Sequence, residues 1–242
     1  MPSAEKRQRH KELRRARAEE ELRRYRARRR RQLGIPLIVL VAIVGFFLVK
    51  ALFKPGAAHK PTPVASSSSC PTKPPAMAID PAKRYTATME TSMGTIVIDL
   101  DAKRAPQTVN SVVALVRCHF YDGLIFHRVV KGFIIQGGDP KGTGEGGPGY
   151  SVTEAPPAGL RYDTGTVAMA KTGAEPPGTS GSQFFIVSGP QGASLPAEYA
   201  LVGKVSSGQD VVSKIEAVPV GEADRPTSPP KIVKVAVAES AG

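Results

Sequence analysis

Two polar side chains, Arg128 and Gln136, interrupt the apolar segment "FHRVVKGFIIQGGDP" at residues 126–140. The segment has the composition of two short strands, and a charge on a strand that is buried on one face has to be paired or to face a cavity. It contains no serine or cysteine that could act as a nucleophile, and no spacing typical of metal ligands. Any chemistry here would therefore use a fixed cation and an amide, without a covalent intermediate.

A second segment completes the pattern: "GTVAMAKTGAEPPGTSGSQFFIVSG", at residues 165–189. Together with "YDGLIFHRVVKGFIIQGGDP", residues 121–140, it strongly resembles the cyclophilin family of peptidyl-prolyl isomerases, and the resemblance extends over about residues 83–240. The resemblance implies a mainly β fold, an eight-stranded antiparallel β-barrel capped by two helices. It also implies proline-containing polypeptides as substrates and a reaction that needs neither a metal nor another cofactor.

The resemblance assigns roles to ten residues of this chain. Arg128 takes the position of the catalytic arginine. Nine residues take positions in the substrate groove: Phe133, Ile134, Gln136, Ala170, Lys171, Gln183, Phe185, Leu195 and Tyr199. Rotation about an X–Pro bond removes amide resonance, so the prolyl nitrogen regains a lone pair at the transition state. A guanidinium can donate a hydrogen bond to that nitrogen only in this state, which is the differential binding that catalysis requires.

The groove residues would act in different ways. Four apolar side chains would enclose the proline ring: Phe133, Ile134, Phe185 and Leu195. Gln136 would hold the arginine and hydrogen-bond the peptide. Gln183 has a second interpretation, in which it only satisfies backbone groups. His127 alternates to the strand face opposite Arg128 and is therefore expected to be a packed structural histidine, not a base.

Three positions depart from the pattern of the family. Lys171 stands where many members have asparagine; since mainly the backbone is used there, activity is expected to survive. Ser194 stands where cyclosporin-sensitive members have tryptophan, which predicts weak inhibition by cyclosporin. Tyr199 replaces a histidine that is common in eukaryotic members, a change associated with bacterial ones. The insertion "EPPGT", residues 175–179, is longer than usual and lies beside the pocket.

The elements that must carry these residues can be read from periodicity. Residues 85–92 and 95–100 form a predicted hairpin, and residues 105–117 have valines at i, i+3, i+4 and i+7, which indicates an amphipathic helix. Residues 208–218 predict a second helix and residues 231–239 a closing strand. Three valines of that strand alternate as expected for one face: Val233, Val235 and Val237. The glycine-rich residues 141–150 lack the lysine-serine/threonine ending of a phosphate-binding loop, so turn conformations explain these glycines better.

The positive charge of the chain is concentrated at its N-terminus. Residues 1–32 hold 14 of the 33 lysines and arginines and 5 acidic residues, whereas residues 80–242 hold 15 basic and 16 acidic ones. The formal net charge of +12 therefore belongs to a basic tail. The tail is expected to be an orientation signal on the cytosolic side of a membrane, with contact to anionic lipid headgroups as the alternative; nucleic-acid binding is not expected.

An apolar segment follows the tail and predicts a transmembrane helix at residues 33–53. At about 1.5 Å per residue the helix spans about 31 Å, which matches a bilayer core of about 30 Å. A secretory signal peptide is the competing interpretation, but its charged region would be unusually long and no convincing cleavage site follows. The positive-inside rule then predicts a single-pass protein of the cell membrane, with everything after residue 54 outside the cytoplasm.

Residues 54–79 are rich in proline, serine and alanine and read as a linker to an isomerase domain at residues 80–242. The linker contains Cys70, and Cys118 follows the first predicted helix. In an oxidising compartment two thiols of one small domain tend to pair, which predicts a disulfide. A buried Cys118 beside a free or intermolecular Cys70 is the open alternative.

The sequence thus favours a membrane-anchored, extracytoplasmic isomerase, of a bacterial type, that accelerates the folding of exported proteins. A non-catalytic module that binds proline-containing peptides, or acts as a chaperone, is the second hypothesis. Arg128 argues against it, because a peptide clasp has no evident use for a cation over the prolyl nitrogen. A third hypothesis makes the basic tail the functional part, as a cytosolic arm that binds nucleic acid or a partner and is tethered to an incidental domain.

Overall fold

The computed structural model describes residues 62–63 and 69–241. The basic tail at 1–32, the predicted membrane span at 33–53 and most of the linker lie outside these residues. Within the described part of the chain, no helix has both the length and the apolar character needed to cross a bilayer.

The described residues form eleven strands, two α-helices and two short 3-10 helices. The strands are β1 (Thr62–Pro63), β2 (Arg84–Thr91), β3 (Gly94–Leu100), β4 (Arg128–Val130), β5 (Ile134–Gly137), β6 (Val152–Thr153), β7 (Thr166–Met169), β8 (Thr179–Ser180), β9 (Phe184–Val187), β10 (Leu201–Ser207) and β11 (Ile232–Ser240). The α-helices are α1 (Pro106–Arg117) and α2 (Gln209–Glu216). The 3-10 helices are Pro190–Ser194 and Glu222–Asp224.

Nine strands form one sheet in the order β1-β11-β2-β3-β10-β7-β9-β5-β4, and all neighbours are antiparallel. The segment before β4 meets the start of β11, where Phe126 N donates to Pro230 O at 2.9 Å and Ile232 N donates to Leu124 O at 2.7 Å. These bonds curl the sheet so that its distant strands meet. Apart from the two-residue β1, the sheet has the eight antiparallel strands that were predicted, and the mainly β fold with two helices is confirmed.

Both predicted helices are confirmed, and their apolar residues face the core. The valines of α1 at i, i+3, i+4 and i+7 are at most 8% exposed, and Val211, Val212 and Ile215 of α2 at most 5%. The N-cap residue of α1, Ala105, has no side chain that could accept a hydrogen bond from the first turn. Instead the Glu154 carboxylate accepts hydrogen bonds from Gln107 N at 3.0 Å and Thr108 N at 2.8 Å. A carboxylate from a distant segment therefore satisfies free N–H groups at the positive end of the helix.

The closing strand corrects one detail of the sequence analysis. The pairing of β11 with β2 shifts between Ile232 and Lys234, as in a β-bulge. The shift turns Ile232 inward, with none of its surface exposed, and leaves Val233 55% exposed. The expectation that Val233 shares a face with Val235 and Val237 was wrong, because a bulge inserts one residue into the alternation.

The folded unit begins before residue 80, where the sequence analysis had placed its start. Cys70 and Cys118 form a disulfide with 5.0 Å between their Cα atoms. The buried Asn110 side chain of α1 accepts from Ala78 N at 2.8 Å and donates to Ala76 O at 3.0 Å. The last ten residues of the predicted linker therefore lie against α1.

Candidate active site

Arg128 and Gln136 are directly opposite each other on β4 and β5, so their side chains lie on one face of the sheet. The Arg128 Nη1 donates to Gln136 Oε1 at 3.5 Å, and Nη2 pairs with the Asp224 carboxylate at 3.2 Å. The arginine side chain remains 39% exposed. Its permanent positive charge is thus held from two sides and is still open to a ligand.

Gln183 extends this network toward the glycine-rich loop. Its Oε1 accepts a hydrogen bond from Gln136 Nε2 at 3.0 Å. Its own Nε2 donates to Gly144 O at 2.8 Å and to Gly146 O at 2.9 Å. Both interpretations of Gln183 therefore apply, because its amide binds backbone carbonyls and also orients the neighbouring glutamine.

The loop that holds Gln183 is itself organised by Asp139, which is only 1% exposed. The Asp139 carboxylate accepts backbone hydrogen bonds from Lys141 at 2.7 Å, from Thr143 at 2.9 Å and from Gly144. Burial alone would raise the pKa of Asp139, but the hydrogen bonds from the loop outweigh burial and lower the pKa. A buried negative charge, surrounded by N–H donors, therefore fixes the loop.

The apolar groove residues gather in one cluster beside this polar network. Its buried members are Ile134, Tyr162, Ala168, Phe185 and Val187. Packed against them are Val130, Phe133, Leu160, Ala170, Leu195 and Tyr199. The structure thus places the six apolar and aromatic residues predicted for the groove in a single cluster.

Tyr162 holds the aromatic part of the cluster in place. Its hydroxyl donates to Tyr199 O at 2.7 Å and accepts from Tyr199 N at 2.9 Å. The Tyr199 ring packs edge to face on Phe185, with 5.3 Å between the ring centroids. Tyr162 is not among the predicted site residues, because its partner Tyr199 lies 37 residues away in the sequence.

Lys171 contributes its side chain, which the sequence analysis had not expected. The side chain is 5% exposed, and its ammonium lies 3.2 Å from Glu198 Oε2 and 3.2 Å from Glu175 O. It also lies 5.7 Å from the centroid of the Tyr199 ring. Lys171 therefore links the inserted segment after it to the segment that carries Tyr199.

The backbone around Phe133 is fixed by a residue of α2. Glu216 Oε1 accepts from Gly132 N at 2.8 Å and from Ser188 Oγ at 2.6 Å, and Ser188 N donates to Phe133 O at 2.9 Å. Nothing in the sequence near Glu216 indicates this role. Asp139 could have been found from its position in a Gly-Gly-Asp-Pro turn, where aspartate commonly bonds following N–H groups.

His127 is 5% exposed, as expected for a packed histidine. Burial lowers its pKa below the ordinary value of 6.5, the nearby Asp139 acts in the opposite direction, and Arg225 and Arg128 lower it further. The imidazole is therefore neutral near pH 7, beside a guanidinium that stays charged.

A surface cleft of about 630 Å³ adjoins the site. Four predicted residues take part in its lining: Gln136, Ala170, Lys171 and Gln183. The rest comes mainly from the glycine-rich loop. The ten predicted site residues thus divide between a network of one cation and two amides, an apolar cluster, and a cleft that four of them line.

A family model described as "Cyclophilin type peptidyl-prolyl cis-trans isomerase/CLD" matches residues 86–237. The chain belongs to the cyclophilin family. Peptidyl-prolyl cis-trans isomerase-like 1 of Gibberella zeae is 39% identical to this cyclophilin over 155 residues, which are 62% of this chain and 93% of the relative. Peptidyl-prolyl cis-trans isomerase A of Mycobacterium tuberculosis is 39% identical over 175 residues, which are 65% of this chain and 94% of the relative.

Solved structures support the same assignment. A cyclophilin type isomerase from Cryptosporidium parvum superimposes with a TM-score of 0.60 at 33% identity, covering 64% of this chain and 97% of that one. The enzyme class is therefore peptidyl-prolyl cis-trans isomerase, and the cyclophilin domain accounts for the described residues from β2 to β11.

Proposed function

We propose that this cyclophilin turns X–Pro bonds by non-covalent stabilisation of the twisted transition state, with Arg128 as the catalytic residue. The observation that carries the proposal is the arrangement of Arg128, which is held by Gln136 and Asp224 beside an apolar cluster and remains partly exposed. The barrier of about 18–20 kcal/mol comes from amide resonance, so a donor to the prolyl nitrogen lowers it without a nucleophile.

The substrate is a proline-containing polypeptide. The partly buried Phe133 and Leu195 offer apolar surface for the proline ring, and they pack on a cluster that contains the buried Phe185. A second crystal structure of the same Cryptosporidium parvum isomerase, with a TM-score of 0.59 and 32% identity to this chain, was obtained in the presence of the dipeptide Ala-Pro. Holding one side of the bond in the apolar cluster while the other side rotates adds catalysis through orientation.

The protein is a bacterial type of cyclophilin that is anchored in the cell membrane. Its isomerase domain lies outside the cytoplasm. The apolar segment at 33–53, the basic segment before it and Tyr199 support this proposal. The Cys70–Cys118 disulfide adds support, since such bonds persist mainly in oxidising compartments. The clients would be exported proteins, whose uncatalysed proline isomerisation takes tens to hundreds of seconds.

A protease-coupled isomerisation assay on the full-length protein in detergent tests the mechanism. Arg128→Ala is expected to lower kcat/KM at least 100-fold, which is about 2.7 kcal/mol of transition-state stabilisation. Arg128→Lys is the matched variant, because it keeps the positive charge but loses the planar, forked guanidinium. A partial loss of kcat/KM is expected for it. Equal activity of wild type and Arg128→Ala would exclude the mechanism. A wild type that binds proline peptides without accelerating isomerisation would favour the non-catalytic binding module.

The location is tested separately in bacterial cells that express the full chain. External protease added to spheroplasts is expected to degrade the isomerase domain while a label on the N-terminal tail stays protected. Protection of the domain under conditions that expose an outer control protein would contradict the proposed topology.

A further inference from the structure

The turn that carries Asp224 has a backbone conformation that is unfavourable for the residues in it. Ala223 has φ 55° and ψ 37°, and Asp224 has φ 58°. Positive φ at both central positions is the arrangement of a type I′ turn, which favours asparagine and glycine. Alanine has neither the freedom of glycine nor a polar side chain that bonds locally, so this conformation strains the backbone.

The surrounding contacts hold the strained turn in place. Arg225 N donates to Glu222 O at 3.2 Å across the turn, and Gly221 N donates to Arg225 O at 2.8 Å below it. The Arg225 guanidinium donates to Gly142 O in the glycine-rich loop. The turn is therefore fastened to the same loop that positions Gln183.

The result of this arrangement is the contact between Asp224 Oδ2 and Arg128 Nη2 at 3.2 Å, across 96 residues of sequence. The two side chains are 43% and 39% exposed. An ion pair with this exposure contributes little to stability. Stability alone thus gives no reason for the strain in the turn, and strained backbone conformations cluster at functional sites.

The geometry of Arg128 indicates what the contact does. An arginine side chain has many rotamers, and the bond to Gln136 is long at 3.5 Å, so it restricts the guanidinium only weakly. The Asp224 carboxylate holds the second terminal nitrogen, Nη2. Two partners on two nitrogens define the plane of the guanidinium and direct its remaining N–H groups.

We propose that Asp224 is a positioning residue of this isomerase, which orients the Arg128 guanidinium for the prolyl nitrogen from a strained turn far along the chain. The inference rests on the proposed role of Arg128. A misdirected Arg128 guanidinium still allows the peptide to bind but no longer donates to the prolyl nitrogen at the transition state. Loss of Asp224 therefore lowers kcat more than it changes KM.

The test compares Asp224→Asn with Glu222→Gln in full-length protein. Both variants remove one carboxylate from the same turn, but Glu222 is exposed and contacts Arg225 only through its backbone. Asp224→Asn is expected to lower kcat at least fivefold with KM changed less than twofold, and Glu222→Gln to stay within twofold of wild type. An Asp224→Asn enzyme within twofold of wild type would overturn the proposal.

A double-mutant cycle separates positioning from a structural role. In an Arg128→Ala background, Asp224→Asn is expected to have no further effect on kcat, because its only route to the reaction is removed. The same fivefold loss in both backgrounds would overturn the proposal.

Nitrogen-detected NMR of the arginine side chain supplies a readout that does not depend on activity. Rotation of the Arg128 guanidinium is expected to be slowed in wild type and faster in Asp224→Asn. Equal rotation rates would refute the positioning, whatever the outcome of the Arg128→Ala assay.

Discussion

Replacing Asp139 by asparagine is expected to destabilise the domain and to lower its activity together. The carboxylate is buried and accepts at least three backbone hydrogen bonds from the glycine-rich loop. An asparagine has one acceptor oxygen, so its NH2 group faces donors and at least two N–H groups lose an ionised partner. At about 1.5 kcal/mol for each such bond, the free energy of unfolding should fall by about 3 kcal/mol.

The activity falls because the loop holds the amide network of the site. Without the carboxylate, Gly144 O and Gly146 O no longer have fixed positions, and Gln183 and then Gln136 lose their orientation. Urea unfolding gives the stability, and the isomerisation assay on the remaining folded protein gives kcat/KM. Glu145→Gln is the control, because it removes an exposed carboxylate of the same loop and should change stability by less than about 0.5 kcal/mol.

The pH dependence of unfolding checks the same interaction. The pKa of Asp139 is lowered in the folded state from its ordinary value of 3.8, so the unfolded state binds more protons below that value. The stabilisation by the carboxylate is fully present above pH 3.8 and is lost as the pH falls through the folded pKa. Asp139→Asn should therefore flatten the acid side of the stability profile. The reasoning would be refuted if Asp139→Asn lowered the free energy of unfolding by less than about 1 kcal/mol and left the dependence of stability on pH unchanged at acid pH.

Three further changes have defined outcomes. Cys70→Ser opens a loop of 48 residues and should lower the free energy of unfolding by about 4 kcal/mol in the chain-entropy model. Urea titration of the variant beside the oxidised wild type measures this loss. Two free thiols in the unreduced wild type would contradict the Cys70–Cys118 bond. Lys171→Met removes the donor to Glu175 O and should speed hydrogen exchange in residues 172–178, whereas the exposed Lys204→Met should leave exchange there unchanged. Ser194→Trp should tighten cyclosporin inhibition at least tenfold, about 1.4 kcal/mol, and a nanomolar inhibition constant for wild type would contradict the expected weak binding.

The secondary structure could be predicted where one local pattern decided it. The valines of α1 recur with the helical period, and every one of them faces the core. The hairpin of β2 and β3 follows from alternation on either side of a short turn. The bulge in β11 could not be predicted, because the shift depends on how β11 pairs with β2, and the valine alternation alone favoured the wrong face for Val233.

The candidate site divides in the same way. Motifs of contiguous residues were enough to name Arg128, Gln136 and the apolar groove, because β4, β5 and β9 are neighbours in the sheet and carry these motifs side by side. The residues that support them were missed. Glu216 reaches Gly132 across 84 residues and Tyr162 reaches Tyr199 across 37, and no local pattern marks such distant partners.

The sequence by itself determined the family, the mainly β architecture and the two helices, and it predicted which residues form the groove, since hydrophobic period and long motifs are local properties of a chain. Only the tertiary structure decided how those residues are held. Asp224 meets Arg128, the Lys171 ammonium is buried against Glu198, and Glu154 caps α1, because long-range packing brings charges together that sequence distance keeps apart. Electrostatic and hydrogen-bond energies depend on separations of a few ångströms in space, and a linear pattern carries no such distance.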